Sequence, residues 1–321
     1  MWALVTQYII TATIPALVFW FYIKWRPKWT FSWNSFKELF SFGFYIFLTN
    51  LLNQFGSQIQ GLLIGKFYNP TTMGYYSKAH GLEKLASTSI SSVMTQVTYP
   101  LYAEAQDNKV QLANMIRRIT MTLSYLTFPL MFILLLCAKP IFVLLYSDRW
   151  LHSVPYFQVL CLAGLAFCLQ SVNNQSVAAV GKSRAMFIWT VIKRAVGIGF
   201  MIIGLVFFGM KGLLVGVVLN SWFSYFVNIG LVSKYVGYKW SDQLLSIMPV
   251  AVASVISAVA AFIVGYFLNF SMYPDGIVKF VVYVIIYLGW SLIFKPEAYN
   301  YFLTIIPAKL RFWEKKTKVV G

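Results

Sequence analysis

Acidic side chains are scarce in this sequence: nine Asp and Glu stand against 26 Lys and Arg, and charged residues of both signs make up only 11% of the chain. A soluble globular domain carries about a quarter charged residues, so water is excluded as the main solvent. Histidine occurs twice, at His80 and His152, far apart in sequence. Cysteine occurs three times, at Cys137, Cys161 and Cys168, always inside an apolar stretch. Neither residue type forms a disulfide framework or a metal-ligand spacing, so no metal and no cofactor are expected. The cysteines read as small buried hydrophobes and the histidines as interfacial polar groups.

What fills the sequence instead is apolar: 59% hydrophobic residues, 18% aromatic, and a mean hydropathy of +0.69. Glycine and proline persist inside the apolar runs, as at Gly43, Gly61, Pro129 and Gly204. Membrane helices tolerate them because neighbouring groups satisfy the freed backbone. The formal charge of +17 would suit nucleic acid, but the basic residues cluster between apolar runs. That clustering reports membrane topology, and no nucleic-acid partner is expected.

Crossing about 30 Å of hydrocarbon takes about 20 helical residues. Nine candidate spans meet this, near 2–23, 42–64, 85–105, 119–146, 154–179, 186–208, 212–233, 244–268 and 277–294. The fold class is therefore all-α, a polytopic membrane helix bundle. With nine crossings the connecting segments alternate sides, and 19 of the 26 basic residues fall on one side against 7 on the other. The bias places the C-terminus in the cytoplasm and leaves Met1 on the outer face, which reads as a cut through a larger protein. Between the first two spans, Phe36, Leu39 and Phe40 share a helical face with Lys37 and Glu38 pointing away. With Trp25, Trp29, Trp33, Lys24, Arg26 and Lys28 nearby, this reads as a short helix lying along the cytoplasmic leaflet in contact with membrane lipids. The tail beyond Pro307, with Lys309, Arg311, Lys315, Lys316 and Lys318, reads as a basic segment at anionic headgroups.

Amides inside a bilayer cost free energy unless they meet a partner or water. In the second span Asn50, Asn53, Gln54, Ser57 and Gln58 gather on about half of the helix. In the fifth, Gln170, Asn173 and Asn174 share a face that ends at Gly181. Two readings are open for both faces: they line one hydrophilic cavity, or they bond neighbouring helices. The run Ser87-Thr88-Ser89-Ile90-Ser91-Ser92 in the third span is too polar for lipid and faces protein or water. Lys193 and Arg194 lie roughly 12 Å into a helix, at about 1.5 Å per residue beyond the loop at Gly181–Arg184. They either snorkel to the headgroups or face the cavity, where cations bind pyrophosphate. All nine acidic residues map to loops or helix ends, so either a coupling carboxylate lies upstream of Met1 or coupling is of another kind.

Several segments carry a family resemblance: Trp2-Ala3-Leu4-Val5; Phe40-Ser41-Phe42-Gly43; Ile64-Gly65-Lys66-Phe67-Tyr68 with Met73-Gly74-Tyr75-Tyr76; Val97-Thr98-Tyr99-Pro100; and Gly181-Lys182-Ser183. Together they resemble the polysaccharide transporter family, the Wzx-type colanic-acid-like lipopolysaccharide and O-antigen flippases of the multidrug/oligosaccharidyl-lipid/polysaccharide exporter superfamily. The resemblance implies helices six to fourteen of a fourteen-helix, two-lobe exporter, truncated at its N-terminus. It divides the chain into the last helix of the N-terminal lobe (1–30), a six-helix C-terminal lobe (31–240), two additional spans (241–298) and a basic cytoplasmic tail (299–321). It further implies transport, not catalysis: movement of undecaprenyl-pyrophosphate-linked oligosaccharide across the bacterial inner membrane for surface polysaccharide biosynthesis, with other surface-polysaccharide assembly proteins as further partners. Asn50, Asn53, Gln54, Ser57, Gln170, Asn173 and Asn174 are then the substrate-cavity candidates, and Lys193 and Arg194 the pyrophosphate-binding candidates. Two alternatives stand beside it. A membrane glycosyltransferase or polymerase needs acid/base groups in a large outer loop, and the longest, near Lys66 to Lys84, offers only Glu83. A multidrug exporter of the same fold would favour a carboxylate within the membrane.

Overall fold

The computed structural model describes residues 2–23, 30–268, 270–299 and 301. Among them all regular structure is helical: α1 (Trp2–Tyr22), α2 (Trp33–Phe67), α3 (Pro70–Glu104), α4 (Lys109–Leu136), α5 (Ala138–Tyr146), a 3-10 segment (Asp148–Ser153), α6 (Val154–Ala179), α7 (Ser183–Val236), α8 (Trp240–Leu268) and α9 (Met272–Phe294). The expected Lys24, Arg26 and Lys28 cluster, with Trp25 and Trp29, and the basic tail from Lys309 onward lie outside the described residues.

Contacts divide the chain into two compact units, Met1–Ser41 and Phe42–Gly321. In the first, the rings of Phe31, Trp33, Phe36 and Phe40 follow one another with centroids 5.4 to 5.9 Å apart. Lys37 does not point away from this face as expected; its Nζ lies 5.7 Å from the Trp33 ring centroid, at cation–π distance. Nor do these residues form a separate interfacial helix. They are the opening turns of α2, which continues unbroken to Phe67.

In the second unit, helix ends follow local chemistry. Asn69 caps α3, its side chain accepting from Thr72 N at 2.8 Å with Pro70 in the first turn, and Asn108 caps α4 by accepting from Gln111 N at 3.1 Å. The expected span 119–146 is two helices, because Pro140 has no N–H to continue α4 and its ring would crowd the carbonyl four residues back; the chain turns at Cys137 and restarts as α5. The expected third span begins fifteen residues early, at Pro70, since His80, Glu83 and Lys84 are helical rather than looped.

The two spans expected on either side of residue 209 form one tight hairpin within α7. Gly209 takes φ 60 and ψ −143, a conformation open to glycine alone, and the two arms approach through glycines. A Cβ on Gly204 or on Gly212 would run into the other's carbonyl oxygen, and one on Gly216 would lie 2.7 Å from Phe200 O. Small residues let membrane helices approach this closely, where dispersion rather than water exclusion supplies the attraction.

Buried side chains collect in three groups. One, around Phe142, Phe157, Ile64 and Leu213, ties α2, α3, α5, α6 and α7. A second, around Tyr102, Leu112, Val172 and Val232, ties α3, α4, α6 and α7. The third joins α4, α6 and α7 to α8 and α9 through Tyr125, Tyr225, Tyr283 and Tyr287. Five helical stretches among the described residues are long and apolar enough to cross a membrane: Lys109–Leu136, Asp148–Ala179, Ser183–Val236, Trp240–Leu268 and Met272–Phe294, the third of them doubled back at Gly209. The amide- and hydroxyl-rich α2 and α3 run beside them, and the large outward-facing apolar side chains, such as Phe207, Phe262 and Ile285, suit lipid.

Overpacking a close contact costs about 1–3 kcal/mol. Gly212→Val is therefore expected to lower the melting temperature of the detergent-purified protein by several degrees. Gly199→Ala, on the same hairpin but with nothing within 4 Å of its Cβ position, should leave it unchanged or slightly raised. Differential scanning fluorimetry on both variants reads the contrast.

Candidate functional site

A polar cavity of about 880 Å³ opens among α2, α3, α6 and α7, built wholly from residues of the second unit. Its α2 wall presents Asn50, Asn53, Gln54 and Ser57. These positions fall on one side of the helix by the 100° step between residues, and the open space beside them resolves how their amides avoid lipid. Gln58, which by the same step lies about 40° beyond Gln54, does not line it.

The α3 wall is the hydroxyl run expected to avoid lipid: Ser87, Thr88, Ser91, Ser92 and Thr95 all line the cavity. Several of these hydroxyls donate to their own helix, as Ser91 does to Ser87 O at 2.8 Å, leaving oxygen lone pairs free to accept. From α6 come Gln170 and Asn174, with Gln175 beside them; Gln170 Nε2 donates to Ser221 O at 2.9 Å, tying α6 to the second arm of α7. Thus the two amide faces read from the sequence do meet, across a hydroxyl-lined third wall.

Asn173 is the exception among the expected cavity residues. It is fully buried on the far side of α6, where its Oδ1 accepts from Gln243 Nε2 of α8 at 2.8 Å. The physical reason is angular. Position 173 lies 60° to one side of Gln170 and Asn174 lies 40° to the other, and the cavity is centred nearer Ser171 and Asn174. Here the amide bonds a neighbouring helix, the other of the two roles open to it.

Lys193 and Arg194 both turn to the cavity. Lys193 is 9% exposed and its Nζ donates to Asn228 Oδ1 at 2.8 Å. Arg194 is half-buried, its Nη2 donating to Asn53 Oδ1 at 2.8 Å, and its guanidinium stem lies where a Cβ on Gly56 would come within 2.7 Å. Both side chains line the cavity. The ion pairs among the described residues are His80–Glu83, Arg117–Glu297 and Lys279–Asp275, so neither cation has a carboxylate partner there. A hydrogen bond from a charged donor contributes about 1.5–3 kcal/mol, which falls short of the several kcal/mol that desolvating an ion costs. These two groups therefore call for water or an anion in the cavity.

A carboxylate sits in the middle of the bundle, against expectation. Glu83 lies thirteen residues into α3, about 20 Å from its start by helical rise, and is 7% exposed. It packs on Gly164, midway along α6, where a Cβ would lie 2.5 Å from its Oε1. His80 stands one turn away with Nδ1 4.0 Å from Glu83 Oε2. Glu83, His80 and Lys84 all line the cavity. Their polarity reads as a loop from composition, but Asn69 followed by Pro70 is a helix-start signal that carries the helix through them. Gly56 and Gly164, which make room for Arg194 and Glu83, carry no such local signal.

Single cysteines at 53 and 174 are expected to react with a membrane-impermeant maleimide, and one at 173 to react at least about tenfold more slowly for want of access. The native cysteines are all buried and keep the background low. Equal protection at 53, 173 and 174 would remove the cavity as an aqueous space.

With the geometry in place, the chain can be set beside known proteins. The family described as "Polysaccharide biosynthesis protein" matches residues 1–155. Teichuronic acid biosynthesis protein TuaB of Bacillus subtilis (strain 168) is 25% identical over 189 residues, 58% of this chain and 39% of TuaB. Lipopolysaccharide biosynthesis protein WzxC of Escherichia coli (strain K12) is 22% identical over 249 residues, 75% of this chain and 49% of WzxC. The chain thus spans about half or less of these relatives. Among solved structures, the lipid II flippase MurJ in an inward closed conformation superposes with a TM-score of 0.62 at 17% identity, over 84% of this chain and 57% of that one. A MOP superfamily transporter from Pyrococcus furiosus gives 0.54 at 13% identity, over 84% and 68%. The resemblance read from the sequence stands: this is a multi-pass membrane protein that matches the polysaccharide biosynthesis protein family over residues 1–155 and is similar in fold to MurJ and a MOP superfamily transporter.

Proposed function

We propose that this chain supplies a transport cavity for an anionic, lipid-linked oligosaccharide, an undecaprenyl-pyrophosphate-linked sugar, on its way across the bacterial inner membrane for surface polysaccharide assembly. One observation carries the reading. A cavity of about 880 Å³ among the helices is walled by amides and hydroxyls and holds Lys193 and Arg194 without a carboxylate partner among the described residues. Amides and hydroxyls both donate and accept, which matches the hydroxyls of a sugar. Cations held only by amide oxygens match a pyrophosphate, whose charge offsets their desolvation. Names such as teichuronic acid biosynthesis, lipopolysaccharide biosynthesis and lipid II flippase among the relatives and neighbours support this direction.

On this reading the lobe at 31–240 encloses the pathway, α8 and α9 brace it from outside, and the C-terminus is cytoplasmic. Glu83 gives the multidrug exporter alternative the membrane carboxylate it asks for. The cavity, however, presents Lys84, Lys193 and Arg194 to that single acid, and this balance favours an anionic cargo over a cationic one.

Losing a charge-assisted hydrogen bond to the cargo costs about 1.5–3 kcal/mol, or about tenfold or more in rate where it acts in the slow step. Arg194→Ala and Asn53→Ala, placed in the whole transporter, are each expected to slow translocation of lipid-linked oligosaccharide by at least that factor. The assay counts labelled lipid-linked sugar reaching the far leaflet of reconstituted vesicles. Wild-type translocation by the double variant would sink the proposal.

A further inference from the structure

Glu83 has no task in the binding of an anion, yet it is nine-tenths buried at the cavity wall. The chain makes room for it: Gly164 leaves the space its Oε1 fills. Beside it His80 lines the same cavity with a buried Nδ1 that makes no hydrogen bond and lies 4.0 Å from Glu83 Oε2. That separation is too long for a hydrogen bond but short enough for strong electrostatic coupling. The His80 ring stacks on Tyr76 at 5.6 Å and 13°, and Tyr76 Oη in turn donates to Gln60 of α2. The imidazole is thereby held in place rather than free to swing.

We propose that Glu83, together with His80, is a proton-binding site of the cavity, and that it takes up a proton when an anion enters. The second half rests on the anion reading above; the site itself does not. A proton fits these surroundings better than a metal ion. Hard cations want six or more oxygens, whereas the carboxylate packs against Gly164, whose Cβ position also lies 3.2 Å from the thioether Sδ of Met131. The thiol of Cys168 on α6 approaches Ser87 O, one turn from Glu83, at 3.6 Å. Among the described residues no group of three or more His, Cys, Asp or Glu could hold a metal.

The charged neighbours set the direction. On its own helix Glu83 faces His80, Lys84 and the phenol of Tyr76; across the cavity α7 contributes Lys193 and Arg194. With Glu83 ionised, it offsets one of the three lysine and arginine charges that an incoming pyrophosphate would meet. An O–H bond formed on the carboxylate, at the expense of one on a cavity hydronium or buffer acid, removes that offset, and nothing else changes covalently. Anion binding and proton uptake then favour one another, as linkage requires.

Two measurements on the purified whole chain in detergent decide this. In infrared pH-difference spectra without ligand, a protonated-carboxyl band is expected to titrate, to vanish in the isosteric Glu83→Gln variant and to move its midpoint in His80→Gln. No such band, or one that persists in Glu83→Gln, overturns the site. With inorganic pyrophosphate as probe, calorimetry in buffers of different ionisation enthalpy should find about one proton taken up per anion bound, and affinity falling up to about tenfold per pH unit as pH rises; Glu83→Gln should lose both. Binding without proton uptake overturns the coupling. A titrating Glu83 band in a protein that binds no pyrophosphate leaves the proton site standing and overturns the anion reading.

Discussion

A polar group inside a bilayer must find a partner or water, and the architecture of this chain follows from how that demand is met. Asn53 meets it by accepting from Arg194 and Gln170 by donating to Ser221 O, whereas Asn228 and Asn173 meet it on one side only, each Oδ1 accepting from Lys193 or Gln243 while each buried Nδ2 makes no hydrogen bond. Many of the other polar groups on α2, α3, α6 and α7 line one partly open cavity. Remove that volume and the amides of α2 would face hydrocarbon, at a cost no packing in lipid recovers. The cavity is thus the condition under which helices this polar can belong to a membrane bundle at all.

Enclosing it needs rigid walls, which come from close backbone packing and from polar contacts at depth. The α7 hairpin closes through Gly204, Gly212 and Gly216, and this fixes where Lys193 and Asn228 on opposite arms can meet. On the outside α9 is held to α4 by Tyr125 Oη donating to Ser291 Oγ at 3.1 Å and Tyr287 Oη donating to Tyr125 O at 3.0 Å. An Arg117–Glu297 pair at 2.7 Å adds to this at the end of the bundle, though its exposure to solvent makes it worth about 0–1 kcal/mol. The hydroxyl bonds lie where water does not compete for them.

The electrostatics of the cavity are lopsided. Lys84, Lys193 and Arg194 face it with Glu83 as the acid among its lining residues, in a region where charges act on each other over longer range than in water. An anionic occupant relieves that imbalance and a cationic one worsens it. Glu83 lies beside His80, largely shielded from solvent, in the same cavity.

Composition and periodicity by themselves determined that the chain is a bundle of membrane helices, roughly where its spans lie, and that α2 and α6 each carry an amide face, because hydropathy and the 100° step are local properties written in consecutive residues. That Ser87 to Ser92 avoids lipid was legible for the same reason, though not whether it meets protein or water. Which amide faces the cavity and which bonds a neighbour was decided only by tertiary structure: Asn173 and Asn174 differ by a single helical step, and what separates them is the position of α8. Whether Lys193 and Arg194 reach headgroups or the interior depended on Asn228 and Asn53, distant in sequence, and on the space left by Gly56. Glu83 is buried within the helix bundle because α3 starts at Pro70, which the local Asn69-Pro70 signal marks, and because Gly164 of another helix leaves it room, a long-range fit that no local pattern encodes.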